Sequence, residues 1–278
     1  MIKSILVALD GSEHANAALD YGLWMAAHTH GRVTGLHVID IVSIEGSFMH
    51  DISGSLGFEP YLDFSAKMRE ALRERGEVLL EAFEKRCKDR GVACDRVLGM
   101  GIVANEICEQ ARLADVVALG HRGINEQFTT GLLGSTTESV TRKSPKPVLV
   151  SSMRFAEPKR PLLAYDGSPR SSMAMQQAAE FASAFKLPLT VLHVARDEGE
   201  ATKVLGEARR YLEPYGIDFR CESHQGAPHE GIVQKIQEQG YDLLFIGAYG
   251  HSRIIEMVLG STTEYVLRNT PCPVFLTR

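Results

Sequence analysis

The feature that most constrains this 278-residue chain is that it states the same pattern twice. "ILVALDGS" (Ile5–Ser12) returns as "LLAYDGS" (Leu162–Ser168), and "GLHVID" (Gly35–Asp40) returns as "VLHVARD" (Val191–Asp197). Further on, "ADVVALG" pairs with "YDLLFIG", "LLGSTTESV" with "VLGSTTEYV", and "SPKPVLV" with "TPCPVFL". One offset of 156 separates Asp10 from Asp166 and also Val38 from Val194. Five landmarks kept in one order mark a tandem duplication. The length fits two domains of about 140 residues each. The boundaries predicted are 1–153 and 158–278, joined by "SSMRFAEPKRP", where Pro158 and Pro161 prevent a continuous helix.

Within each half, short apolar, β-branched runs end in Gly or Asp and alternate with helical periodicity. Such runs suit strands of a parallel sheet buried on both faces. Strands are predicted near 3–10, 32–39, 94–100, 115–120 and 147–151, then near 160–166, 188–195, 218–225, 242–247 and 273–277. Helices are predicted over 13–30 and 170–185, the first with Ser12 as its N-cap. Strand alternating with helix through right-handed crossovers gives two tandem α/β domains, each an open doubly wound sheet flanked by helices. The first half carries a long insertion at about 41–75. It begins with the Gly- and Ser-rich 43–61, a surface excursion or a lid, and runs into a long helix. That helix is expected to pack through Met68, Leu72, Leu79, Phe83 and Cys87.

Chemistry concentrates in a repeated glycine phrase. "GAYGHSRIIEMVLGST" (Gly247–Thr262) has its close counterpart in "GHRGINEQFTTGLLGST" (Gly120–Thr136). Gly247 ends a predicted strand and Gly250 follows in the turn, where glycine permits positive φ and close approach of a ligand. Gly260, Ser261 and Thr262 then open a helix, whose free N–H groups and dipole make a cradle suited to phosphate. The first half offers Gly120, Gly123, Gly134, Ser135 and Thr136, with ten residues between the second and third glycines where the second half has nine. Asp10 and Asp166 follow the first strand of each half, at the carboxyl edge where ligands collect. Each can cap the next helix, and each can accept hydrogen bonds from a ribose or an adenine amino group.

Together these motifs resemble the nucleotide-binding pattern of the universal stress protein family, UspA-type, over essentially the whole chain. The pattern is carried by Gly247-x2-Gly250-x9-Gly260-Ser261, by "YDGS" after strand one and by "HV" near the end of strand two. The resemblance implies a five-stranded parallel sheet of order 3-2-1-4-5 in each domain. It also implies ATP or another adenine nucleotide at the strand carboxyl ends, with Mg2+ as a possible companion. Asp166 and Val194 would then hold adenosine, and Gly247, Gly250, Gly260, Ser261 and Thr262 the ribose and phosphates. Asp10, Val38, Gly120, Gly123, Gly134, Ser135 and Thr136 would do the same in the first half. The extra residue there departs from the pattern, and the second site is the better preserved. Single-domain relatives pair through their last strands, so "PVLV" and "PVFL" are expected to pair within this chain, with a homodimer of the whole chain as a further option.

Other chemistries find little support. A net charge of -5 argues against a sequence-independent nucleic-acid binder. No run approaches the ~18 apolar residues of a membrane span, and the N-terminal apolar run is too short for a signal peptide. Five cysteines without a CxxC read as reduced thiols in a cytoplasmic protein. "GMGIVA" (Gly99–Ala104) mimics a dinucleotide fingerprint but follows the third strand, and there is no GxxxxGK[ST]. His37 and His193 read as packing residues, whereas His121 and His251 beside the glycines could reach a phosphate. Three functions stay open: a nucleotide-binding stress or signalling module acting on an unknown protein partner, a slow ATPase or self-phosphorylating enzyme, and a scaffold with empty sites.

Overall fold

The computed structural model describes residues 2–41, 58–123, 133–195, 197–248 and 260–278, with 58–65 described for their backbone only. In the first half the order is β1 (Ser4–Ala8), α1 (Glu13–Thr29), β2 (Arg32–Asp40), α2 (Phe58–Asp89) and β3 (Ala93–Gly101). It continues with α3 (Val103–Ala111), β4 (Val116–Gly120), α4 (Ser135–Lys143) and β5 (Val148–Ser151). The second half follows with β6 (Pro161–Ala164), α5 (Pro169–Phe185), β7 (Leu189–Ala195), α6 (Glu198–Leu212) and β8 (Phe219–Gln225). It ends with α7 (Pro228–Gln239), β9 (Leu243–Gly247), α8 (Ser261–Asn269) and β10 (Val274–Thr277).

The ten strands among the described residues form one sheet of order β3-β2-β1-β4-β5-β10-β9-β6-β7-β8. Each half is therefore a parallel 3-2-1-4-5 sheet, as the family resemblance implied. The halves meet where β5 and β10 pair antiparallel, with Val150 opposite Val274, Leu149 opposite Phe275 and Val148 opposite Leu276. Each strand covers the other's open edge, which would otherwise be a site for unwanted pairing.

Period-two alternation divides the core between the two faces. Ile5, Val7, Leu163, Phe245 and Phe275 face one side, under α1, α2, α5 and α6. Leu6, Leu162, Leu244, Val274 and Leu276 face the other, with residues of α3, α4, α7 and α8. Both clusters run across the junction. On the first face Trp24 of α1 stacks on Phe185 of α5, ring centroids 4.5 Å apart. Phe155 of the linker meets the Tyr21 ring edge-on, and the Tyr21 hydroxyl accepts from the Ala156 N–H.

The inserted helix α2 differs from expectation in its packed face. Leu80, Phe83 and Cys87 are buried, Leu72 and Leu79 half-buried, and Met68 stands 36% exposed. Gly76 takes part in its place, because a side chain there would collide with His37 and Leu98; a Cβ would stand 2.7 Å from each. Gly35 serves the same close approach from β2, directly beneath the Phe83 ring. Asp20 of α1 ties down the far end of α2 through Arg86 at 2.6 Å and Arg90 at 2.8 Å. Nearly all of 43–61, whose role as a lid or surface excursion was left open, lies outside the described residues, as do Gly250 and His251.

Candidate functional site

Each half has a cavity at the carboxyl ends of its strands, and its walls are built from the repeated motifs. After β1 the chain turns sharply through Asp10-Gly11-Ser12. Gly11 has φ +86° and its counterpart Gly167 φ +76°, so this is where positive φ requires glycine. Asp10 Oδ1 accepts from the Ser12 N–H at 2.9 Å, and the Ser12 hydroxyl accepts from the Ala15 N–H at 3.1 Å. Asp166 and Ser168 repeat the arrangement at 3.0 and 3.2 Å. Both aspartates therefore shape the helix start, and each also borders its cavity.

The glycine phrase builds the opposite wall. Gly247 and its counterpart Gly120 do not use the positive φ that glycine permits, and Gly250 lies outside the described residues. Gly120 and Gly247 are needed for packing. A Cβ on Gly120 would stand 2.7 Å from His14 Cβ, and one on Gly247 2.8 Å from the Arg170 carbonyl carbon. These glycines let the first turns of α1 and α5 lie directly on the strand ends. At Gly123 a Cβ would stand 2.9 Å from Asp10 Oδ2, so this glycine holds the cavity open beside the carboxylate.

Helices α4 and α8 begin at Gly134 and Gly260 with no side-chain cap. This contrasts with α1 and α5, whose serines close their own N-termini. The first-turn N–H groups of α4 and α8 thus have no partner of that kind beside Ser135, Thr136, Ser261 and Thr262, all of which border the cavities. A second threonine, which the glycine motif did not single out, fixes each cradle in place. Thr137 donates to the Gly120 carbonyl at 2.7 Å, and Thr263 to the Gly247 carbonyl at 3.2 Å. The doubled Thr in "GSTTE" was the available clue.

The first cavity measures about 610 Å³ and the second about 260 Å³. The first brings Asp10, Val38, Gly120, Gly123, Gly134, Ser135 and Thr136 onto one enclosure. It adds Asp40, Arg122 and Glu138, together with Leu72 and Arg75 from α2 and Arg268 from the second half. The second brings together Asp166, Val194, Gly247, Gly260, Ser261 and Thr262, with Tyr165 and Ser171 beside them. Among its described lining residues Asp166 is the one charged side chain. The arginines of the first cavity escaped sequence reasoning because two of them lie outside the glycine phrase, on an inserted helix and on the other half.

The histidines serve the framework. His37 Nδ1 lies 2.7 Å from the Leu9 carbonyl and His193 Nδ1 2.8 Å from the Tyr165 carbonyl, each tying strand two to the turn after strand one. His121, for which reaching a phosphate was one option, places Nε2 2.7 Å from the Leu267 carbonyl of α8. All five cysteines are free thiols. Among the described residues no group of three or more His, Cys, Asp and Glu forms a metal site, and no helix is long and apolar enough to cross a membrane.

The model of the universal stress protein family matches residues 1–152 and again 158–278. The chain belongs to the universal stress protein family. A universal stress protein of Synechocystis sp. is 31% identical over the whole of both chains. Another, from Mycolicibacterium smegmatis, is 25% identical over 99% of this chain and 96% of its own. Among solved structures, a universal stress protein from Archaeoglobus fulgidus superimposes with a TM-score of 0.77 at 24% identity, covering 99% of this chain and 98% of that one. That likeness speaks for the fold. Both relatives align with this chain across both matched units, and one cavity lies at the strand carboxyl ends of each unit.

Proposed function

We propose that this tandem universal stress protein binds an adenine nucleotide, ATP foremost, and acts through ligand-dependent conformation passed to a protein partner. The observation that carries the reading is the first cavity. Its 610 Å³ falls within the range of small-molecule sites, roughly 300–1,000 Å³. One wall offers Asp10 and Val38 for a nucleoside, and the other offers the uncapped head of α4 for phosphates. The polar groups fit the ligand's parts: a carboxylate accepts from ribose hydroxyls, and helix N–H groups with short hydroxyls donate to phosphate oxygens. Arg75, Arg122 and Arg268 add positive charge on the same enclosure.

The second cavity repeats the cradle with Asp166, Val194, Gly247, Gly260, Ser261 and Thr262, at smaller volume and without arginine among its described lining residues. Its glycine spacing favours a nucleotide, while volume favours the first cavity as the principal site. Magnesium accompanying a nucleotide takes phosphate oxygens and one or two carboxylates. Asp10, Asp40 and Glu138 are the carboxylates at hand in the first cavity. Five free thiols suit a reducing compartment such as the cytoplasm.

The test is mass spectrometry of small molecules released from purified protein, followed by ATP titration calorimetry. One or two equivalents of adenine nucleotide per chain are expected. A chain that releases no nucleotide and takes up none at millimolar ATP does not have this function.

A further inference from the structure

The first cavity is completed by a residue from the other half of the chain. Antiparallel pairing of β5 and β10 carries α8 across the junction, and its last turn docks on the end of β4. The contact is the His121 Nε2 to Leu267 carbonyl bond at 2.7 Å. Arg268 is the next residue, and it lines the first cavity beside Ser135, Thr136 and Glu138. Its guanidinium meets Glu264 Oε1 at 2.6 Å, one turn back on α8, and 34% of the side chain is exposed. A guanidinium has five N–H donors, so one carboxylate leaves capacity for a second anion.

The arrangement runs one way. Gly120-His121-Arg122-Gly123 stands against Gly247-Ala248-Tyr249-Gly250, so alanine occupies the place of the histidine that seats α8. Arg142 repeats Arg268, since its pairing with Glu138 has the same i,i+4 form as Arg268 with Glu264. Yet Arg142 is not among the described residues around the second cavity, and its carbonyl accepts from Arg278 Nη1 at 3.0 Å. The second half thus reaches into the first half's site, with no equivalent return among the described residues.

We propose that Arg268 is a phosphate-binding residue supplied by the second half to the first-half site, so that a nucleoside triphosphate there is gripped by both halves at once. This rests on the nucleotide reading above and deepens it. A ligand with phosphates would favour the conformation in which α8 is seated on β4, whereas one without them would not. The seating of the two repeats then becomes the quantity that the nucleotide's phosphate state controls. Arg268 lies at the opposite end of α8 from Ser261 and Thr262, so its replacement leaves the second cradle intact.

The experiment is calorimetric titration of the full chain with ATP and separately with adenosine, in wild type, Arg268→Gln, Arg268→Lys and Arg112→Gln. Arg268→Gln is expected to weaken ATP binding about tenfold and leave adenosine binding unchanged. Arg268→Lys should retain part of the ATP affinity, and Arg112→Gln, at an exposed arginine that lines neither cavity, should match wild type for both ligands. An Arg268→Gln chain with wild-type ATP affinity overturns the assignment. So does one that loses ATP and adenosine equally, because that pattern marks a structural role. A wild-type chain that binds neither ligand overturns the nucleotide reading itself, a result separate from either of these.

Discussion

At the scale of single residues, burial decides more than the motif does. Gly120 and Gly247 look in sequence like turn glycines, yet they are small so that helix starts can lie on strand ends. Among the described glycines that follow the first strand of each half, backbone conformation requires Gly11 and Gly167, in the less conspicuous "DGS". Burial also controls the thiols. It pushes the Cys87 thiol up to about 12, with Cys94 alongside adding to the shift, and the Cys272 thiol up to about 11. Both groups are held protonated in the fold but ionise near 8.5 once the chain unfolds. Between those values the unfolded chain has released protons that the folded chain keeps. Stability from these groups is therefore complete below about pH 8.5 and falls as pH rises through their folded values. Urea unfolding across pH 8 to 11 should show that decline, and it should flatten in the Cys87→Ala, Cys272→Ala double variant. An unchanged slope in the double variant would remove the thiols as its cause.

At the scale of elements, the strands were legible because both sheet faces are buried and apolar runs leave little choice. The predicted strands near 32–39 and 188–195 are Arg32–Asp40 and Leu189–Ala195, and the helix predicted over 13–30 is Glu13–Thr29. The existence of α2 was legible too, though not all of its packed face. Hydrophobic periodicity cannot register Gly76, which contributes by having no side chain, and it counted Met68, which stands exposed. Phe83, 1% exposed, is the main anchor of α2 on β2. Phe83→Ala should cost about 3–5 kcal/mol in urea unfolding, as large-to-small core changes do. Since Leu72 and Arg75 reach the cavity from the same helix, ATP affinity should fall with it. A loss below about 1 kcal/mol, the range of surface changes, would show that α2 is held mainly by its ion pairs to Asp20.

At the scale of the whole molecule, two repeats have become one ten-stranded sheet with core clusters that run across the junction. Such sharing predicts a single cooperative unfolding transition. Trp24 is the one tryptophan and stacks on Phe185 across the junction, so its fluorescence reports the contact between halves. Fluorescence and far-ultraviolet circular dichroism should give coincident urea curves. A fluorescence change that precedes the loss of helix would mean that the halves separate before they unfold. The sequence by itself determined the duplication and the alternation of strand and helix within each repeat, which follow from local periodicity, turn chemistry and repeated motifs written along the chain. The strand order and the pairing of the last strands were implied by the family resemblance, and the ten-stranded sheet has both. Only the tertiary structure decided that the larger cavity is in the first half, where the glycine spacing is irregular, and that Arg75 and Arg268 border it. The reason is physical: cavity volume and its charge depend on side chains that meet from distant elements. Arg268 borders the first cavity only because β5 and β10 bring the halves edge to edge.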